Sequence, residues 1–195
     1  IEQTWGCGGM RIIAGQLKGR RVELPRGVTA RPTPDRVREA LFNILGMSMQ
    51  GQSVLDLFAG SGCIGLEALS RGAQYVAFGE ADGVTLANLE RYLVQFQVDR
   101  TAYGLFRGDF RRTLETLGRL GQAFDWAYLD PPYMQGLYEA ALRGVGTHLL
   151  KPQGRVIAEH EAGMALPPRV GPLVSVATRR YGKTSLTFYE RGNDG

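Results

Sequence analysis

The sequence predicts an α/β fold: a mostly parallel, seven-stranded sheet with helices on both faces, a C-terminal antiparallel strand, and a small N-terminal β-hairpin. Three observations carry this expectation. From residue 53 onward, short apolar runs alternate with segments of helical periodicity, the pattern of a parallel sheet whose crossovers are helices. The first run leads into Gly60-Ser61-Gly62 and then a helix, as in a Rossmann-like strand–turn–helix unit. The last two strand-like runs are joined only by Tyr181-Gly182-Lys183, a link too short for a parallel crossover.

The elements follow in order. Residues 1–9 lack the basic start and apolar stretch of a signal peptide and read as a leader or tag remnant, with Met10 the natural beginning. Residues 10–14 and 20–24 are two short strands of a hairpin. Thr33 reads as a helix N-cap with Pro34 at the first helical position. Val37, Ala40, Leu41, Ile44 and Leu45 then form an apolar stripe, with Arg36 and Arg38 expected off that face. This basic unit, residues 10–46, is expected to pack as one body with a larger domain spanning 47–195. In that domain, strands are predicted at 53–57, 75–80, 101–107, 124–129 and 155–159, and helices at 64–70, 84–96, 110–120 and 137–149. Residues 166–172 read as a loop, and 173–179 and 185–190 as the closing antiparallel strands.

At 195 residues, 44% apolar and 22% charged, the chain has enough material for one well-packed core. Its apolar runs are only a few residues long, which excludes a membrane-spanning helix. Two cysteines, Cys7 and Cys63, are too few for a disulfide framework, and a reducing cytoplasm is the expected location. His148 and His160 have no partners at ligand spacing, so no metal is expected; His160 reads as structural. Residues 10–40 carry eight basic side chains against three acids in a chain whose total charge is +4. A basic segment on a nearly neutral body points to a polyanionic partner.

Four acids stand at the carboxyl ends of successive predicted strands: Asp56, Glu80, Asp109 and Asp130. That edge is where open α/β sheets bind ligands. Gly60, Gly62 and Gly65 match G-x-G-x-x-G, but Asp56 just before the loop would repel a pyrophosphate and suits a cationic amine. Glu80 suits a ribose diol. An amine and a ribose without phosphates describe S-adenosylmethionine better than a dinucleotide. Asp109 can accept from an adenine amino group beside Phe110, or cap the following helix, or both. Asp130-Pro131-Pro132-Tyr133 ends its strand in a rigid turn of acceptors and an aromatic ring, suited to holding the amino group of a nucleobase.

These motifs resemble those of class I S-adenosylmethionine-dependent methyltransferases, and more narrowly the RsmD family, which methylates a guanine of bacterial 16S rRNA. The resemblance rests on Met10-Arg11-Ile12-Ile13-Ala14-Gly15, on Arg31 to Asn43, on Asp56-Leu57-Phe58-Ala59-Gly60-Ser61-Gly62, on Gly65 to Ala73 and on Tyr181-Gly182-Lys183-Thr184. Gly79 departs from it, because a bulkier residue is expected there. The resemblance implies methyl transfer to the guanine 2-amino group, with Asp130, Pro131, Pro132 and Tyr133 holding the base. It implies S-adenosylmethionine contacts from Asp56, Phe58, Ala59, Gly60, Ser61, Gly62, Glu80, Asp109, Phe110 and Thr33, and no metal. Arg11, Lys18, Arg20, Arg21, Arg31 and Arg36 are expected on 16S rRNA or a small-subunit assembly particle, although Arg31, Thr33 and Arg36 could equally face the cofactor. A monomer without membrane contact is expected. The rival readings are a DNA amino methyltransferase acting on adenine or cytosine, a protein glutamine methyltransferase and a non-catalytic RNA-binding module.

Overall fold

The computed structural model describes residues 9–25, 33–132 and 135–192; Arg26, Arg31, Pro32 and Tyr133 lie outside the described residues, as does the segment 1–8. Strands β1 (Met10–Arg11) and β2 (Arg21–Val22) form a small antiparallel sheet, and helix α1 (Asp35–Leu45) follows. The alternating region is β3 (Ser53–Asp56), α2 (Cys63–Ser70), β4 (Tyr75–Glu80), α3 (Gly83–Gln95), β5 (Tyr103–Arg107), α4 (Phe110–Arg119), β6 (Phe124–Leu129), α5 (Gln135–His148) and β7 (Leu150–Glu161). Strands β8 (Arg169–Val170), β9 (Leu173–Tyr181) and β10 (Thr184–Arg191) complete an eight-stranded sheet of order β5-β4-β3-β6-β7-β10-β9-β8. The first five in that order are parallel, and β10, β9 and β8 continue antiparallel.

Alternate strand residues supply the two cores. Val54, Val76, Phe78, Trp126, Tyr128, Ile157 and Leu186 face α1, α2 and α3. Leu55, Ala77, Ala127, Leu129, Val156 and Tyr189 face α4 and α5. Each fully buried large apolar side chain contributes roughly 1.5–3 kcal/mol. Helix α2 packs so closely on β4 that a Cβ on Gly65 would lie 2.1 Å from Phe78 Cε1.

Several elements differ from the sequence expectation for identifiable reasons. The hairpin ladder is only two residues long on each side. Ile12 still bonds across it, donating to Arg20 O at 2.9 Å and accepting from Gly19 N–H at 2.8 Å, but the backbone groups after Ile12 bond elsewhere. Ile13 and Ala14 N–H donate to Glu67 at 2.8 and 3.0 Å, and Leu17 N–H donates to Ser70 Oγ at 2.9 Å. Residues 100–102 form a 3-10 turn, not strand, because Asp99 accepts from the backbone and hydroxyl of Thr101. The loop expected at 166–172 contains β8, a two-residue edge beyond the seven longer strands.

Two expectations at α1 need correction. Thr33 does not cap the helix; Pro34 occupies that position and makes no side-chain cap bond. Arg38, expected off the buried face, is fully buried. Its Nη2 donates to Arg11 O at 2.8 Å and Asp35 Oδ1 at 2.6 Å, and its Nη1 lies 3.8 Å from Glu67 Oε2. The guanidinium thus ties hairpin, α1 and α2 together, and paired partners are what make a buried charge tolerable. Gly79 is explained as well. A Cβ there would lie 2.8 Å from Leu57 O, while β4 continues undisturbed to Glu80 in register with β5.

Candidate active site

The loops after β3, β4, β5 and β6 enclose a cavity of about 470 Å³ at the carboxyl edge of the sheet, within the usual range for a small-molecule site. It lies where the strand order reverses, between β3 and β6. All four strand-end acids line it, with Phe58, Ala59, Gly60, Ser61, Phe110, Thr33, Pro131 and Pro132. Gly62 stands at the start of α2 with φ 74°. Tyr133 and Arg31 lie outside the described residues.

Each acid has a distinct setting. Asp56 is buried and accepts from Gly65 N–H at 3.0 Å. Burial pushes its carboxyl up to about 7; the Gly65 bond opposes this and the Glu80 charge adds to it. Such a group gains from a neighbouring cation, which favours its ionised form. Glu80 holds Gly60 N–H on one oxygen and Asp82 N–H on the other, both at 2.8 Å, which fixes its carboxylate and leaves further lone pairs for hydroxyl donors. Asp109 caps α4 by accepting from Arg111 N–H at 2.9 Å and also faces the cavity. Asp130 ends β6 beside the buried Pro131 and exposed Pro132. Phe58 and Phe110 meet at 5.4 Å and form an apolar wall.

The structure adds a buried polar cluster. Thr33 Oγ1 donates to Glu159 Oε2 at 2.8 Å, and Tyr128 OH donates to the same oxygen. Burial, then the Glu159 charge, holds the Tyr128 phenol well above its usual range. Tyr128 lines the cavity, as does Cys63, whose thiol burial pushes up to about 12, so it is no nucleophile at neutral pH. Glu159 was legible in one respect: it is a fifth acid near the end of a strand, β7. His160 is buried, with Nε2 2.8 Å from Thr187 Oγ1 and Nδ1 2.9 Å from Glu161 O, a structural setting.

The expected RNA contacts do not gather at the cavity. Arg20 lies over the Phe96 ring at 5.1 Å. Phe96 caps the far end of α3, which starts next to Glu80 and descends over 13 residues, about 20 Å at 1.5 Å per residue. Lys18 belongs to the same turn, docked on Ser70 at the far end of α2. Arg11 and Arg21 are exposed and paired across the hairpin. Arg36 alone of the described set stands near the cavity, three residues after Thr33, where it lies against the β9–β10 turn: a Cβ on Gly182 would be 2.5 Å from its Nη2.

Comparison with known proteins agrees with this geometry. A family model described as "Conserved hypothetical protein 95" matches residues 10–190. The chain is 36% identical over 195 residues to Escherichia coli "Ribosomal RNA small subunit methyltransferase D", covering 97% of this chain and 94% of that protein. It is 35% identical over 183 residues to the Bacillus subtilis protein YlbH, named as an rRNA methyltransferase, covering 93% and 99%. Among solved structures, the E. coli methyltransferase yhhF aligns with a TM-score of 0.81 at 31% identity, covering 94% of this chain and 98% of that one. A Haemophilus influenzae methylase aligns at 0.75, also 31% identical, covering 94% and 99%.

Fold and site therefore define a class I S-adenosylmethionine-dependent methyltransferase. The cavity fits that cofactor: around Gly60, at φ 52°, no atom lies within 4 Å of where a Cβ would stand, leaving an open cradle beside Glu80. The chain belongs to the RsmD family.

Proposed function

We propose that the protein transfers a methyl group from S-adenosylmethionine to the 2-amino group of a guanine in small-subunit 16S rRNA, in the cytoplasm. The observation that carries this reading is the shared cavity of Asp130-Pro131 with Asp56, Glu80 and Asp109. Its interior suits an amine, a ribose and a nucleobase side by side. The name of the E. coli relative supports the rRNA target.

S-adenosylmethionine supplies an electrophilic methyl group on a sulfonium. Asp56 receives the cofactor's ammonium, Glu80 its ribose hydroxyls and Asp109 its adenine amine, while Phe58 and Phe110 flank the ring. Asp130 and the Pro131 carbonyl accept the two N–H bonds of the guanine amine. These bonds aim the nitrogen lone pair at the methyl carbon and stabilise the positive charge that grows on nitrogen. The proton leaves after transfer, to Asp130 or water. Tyr133 is assigned to stack on the base, worth roughly 1–3 kcal/mol. The base must leave its stack to enter the cavity, which suits RNA loops or flipping.

Incubation with labelled S-adenosylmethionine and small ribosomal subunits, naked rRNA or duplex DNA tests the reading. Label is expected on a guanine of 16S rRNA. Label on DNA alone, or on another base, would overturn it.

A further inference from the structure

The turn Tyr181-Gly182-Lys183, conspicuous in the sequence, has no part in the cavity. We infer that this β9–β10 turn, through Arg179, Arg180 and Lys183, is the surface that grips the RNA phosphates flanking the target nucleotide. The inference rests on the reading of the cavity as an RNA methyl-transfer site.

Topology puts the turn at the right edge. Strand β7 runs parallel to β6, and β10 antiparallel to β7, so the β9–β10 turn and Asp130 share the carboxyl edge. In register, Leu186 faces Glu159 and Thr184 faces Glu161. Lys183 therefore stands three residues beyond Glu159, roughly 10 Å at the rise of a strand. Thr33, bonded to Glu159, is part of the cavity wall. Arg179 lies opposite Leu186 and so shares the face covered by α1. Arg36 on α1 presses against Gly182, at φ 65° the first residue of the two-residue hairpin loop, where glycine is favoured.

Charge supports the assignment. Arg36, Arg179, Arg180 and Lys183 are all exposed, and among the described residues none of them forms an ion pair. Glu161 is the acid nearest in register. The cavity itself is acidic, so it repels an approaching RNA backbone, and attraction has to come from its rim. The hairpin cations near Phe96 are about 20 Å away by the length of α3, beyond the roughly 8 Å screening length of physiological salt. The turn, at roughly 10 Å from Glu159, is little more than one screening length from the cavity wall, against more than two for the hairpin.

The test is the triple variant R179A/R180A/K183A, with R179K/R180K as the charge-preserving control. Binding of a 16S rRNA fragment is measured across a potassium chloride series, beside calorimetric binding of S-adenosylmethionine. The triple variant should lose on the order of 10–100-fold in RNA affinity at 0.1 M salt, and its log–log salt slope should shrink by about 2. Cofactor affinity should be unchanged and the control should bind like wild type. An unchanged slope, with methyl transfer by wild type intact, overturns the turn's role alone. Basic residues also guard exposed edge strands against pairing. Aggregation of the triple variant with undiminished RNA affinity in its soluble fraction would assign them that duty and overturn the inference. A wild-type protein that methylates no RNA overturns both this inference and the reading of the cavity.

Discussion

Thr33 and Glu159, 126 positions apart in the chain, are joined by a buried 2.8 Å hydrogen bond that closes one wall of the cavity. Removing the hydroxyl with Thr33→Val leaves a buried carboxylate one donor short, at a cost of about 1–3 kcal/mol. Urea denaturation should show that loss, and cofactor binding should weaken with it. Thr33→Ser should restore both. Equal stability of the valine variant and wild type would mean that the bond contributes nothing.

Asp130→Ala should reduce methyl transfer by at least about 100-fold, in line with removal of a group that stabilises developing charge. Cofactor affinity by calorimetry should stay within a few-fold. A loss of affinity matching the loss of rate would instead make Asp130 a cofactor ligand.

Asp56 should reveal its setting through pH. Its carboxyl moves from the usual 3.8 to about 7 on burial, so between those values the folded protein keeps a proton that the unfolded chain has released. This contribution to the stability of the cofactor-free protein is full below about pH 3.8 and is lost as pH rises through 7. The full shift corresponds to roughly 4 kcal/mol. Asp56→Asn does not titrate, so its Tm relative to wild type should climb from about pH 5 to about pH 7 and then level off. A difference that stays flat with pH would mean that the carboxyl is already ionised at pH 5.

Glu67 anchors the hairpin. It is fully buried and accepts from Ile13 N–H, Ala14 N–H and Arg71 Nε at 2.8 to 3.0 Å. Glu67→Ala strands these donors and the Arg38 charge, a loss of about 3–5 kcal/mol. Hydrogen exchange should accelerate at the Ile13 and Ala14 amides before it does in α4. Uniform acceleration across the fold would argue against a local anchor.

Substituting Arg11, Lys18 and Arg20 by Ala should weaken RNA binding and lower its salt slope, with little change in turnover at saturating RNA, because these residues lie far from the cavity. A fall in turnover would place the hairpin nearer the chemistry than α3 allows.

Local chemistry was legible where both ends of an element carry it. Strand β6 matches its expected span to the residue, bounded by Gly121 before it and Asp130-Pro131 after it. The strand-end acids were legible because a parallel sheet sends every strand's carboxyl end to one edge, and Asp56, Glu80, Asp109 and Asp130 all line the cavity there. Thr33 and Arg38 depart from their local sequence expectation for a common reason. A Thr before Pro looks like a cap, and an Arg off an apolar stripe looks solvated, until distant partners appear. Glu159 and Glu67 supply those partners from 126 and 29 residues further along, and no local spacing announces them. Glu159 itself ended an expected strand, but nothing local says that two hydroxyls converge on one of its oxygens.

The place of β3 between β4 and β6 bears on how the chain is made. Strand β4 follows β3 closely, but β6 begins 71 residues after β3 does. At roughly 5–20 residues per second on the ribosome, that interval lasts about 4–14 s. Throughout it, the second edge of β3 presents unpaired N–H and C=O groups, a template for any passing strand. The middle of the finished sheet is thus an open edge of the nascent one, and the cavity beside it cannot exist until β6 leaves the ribosome.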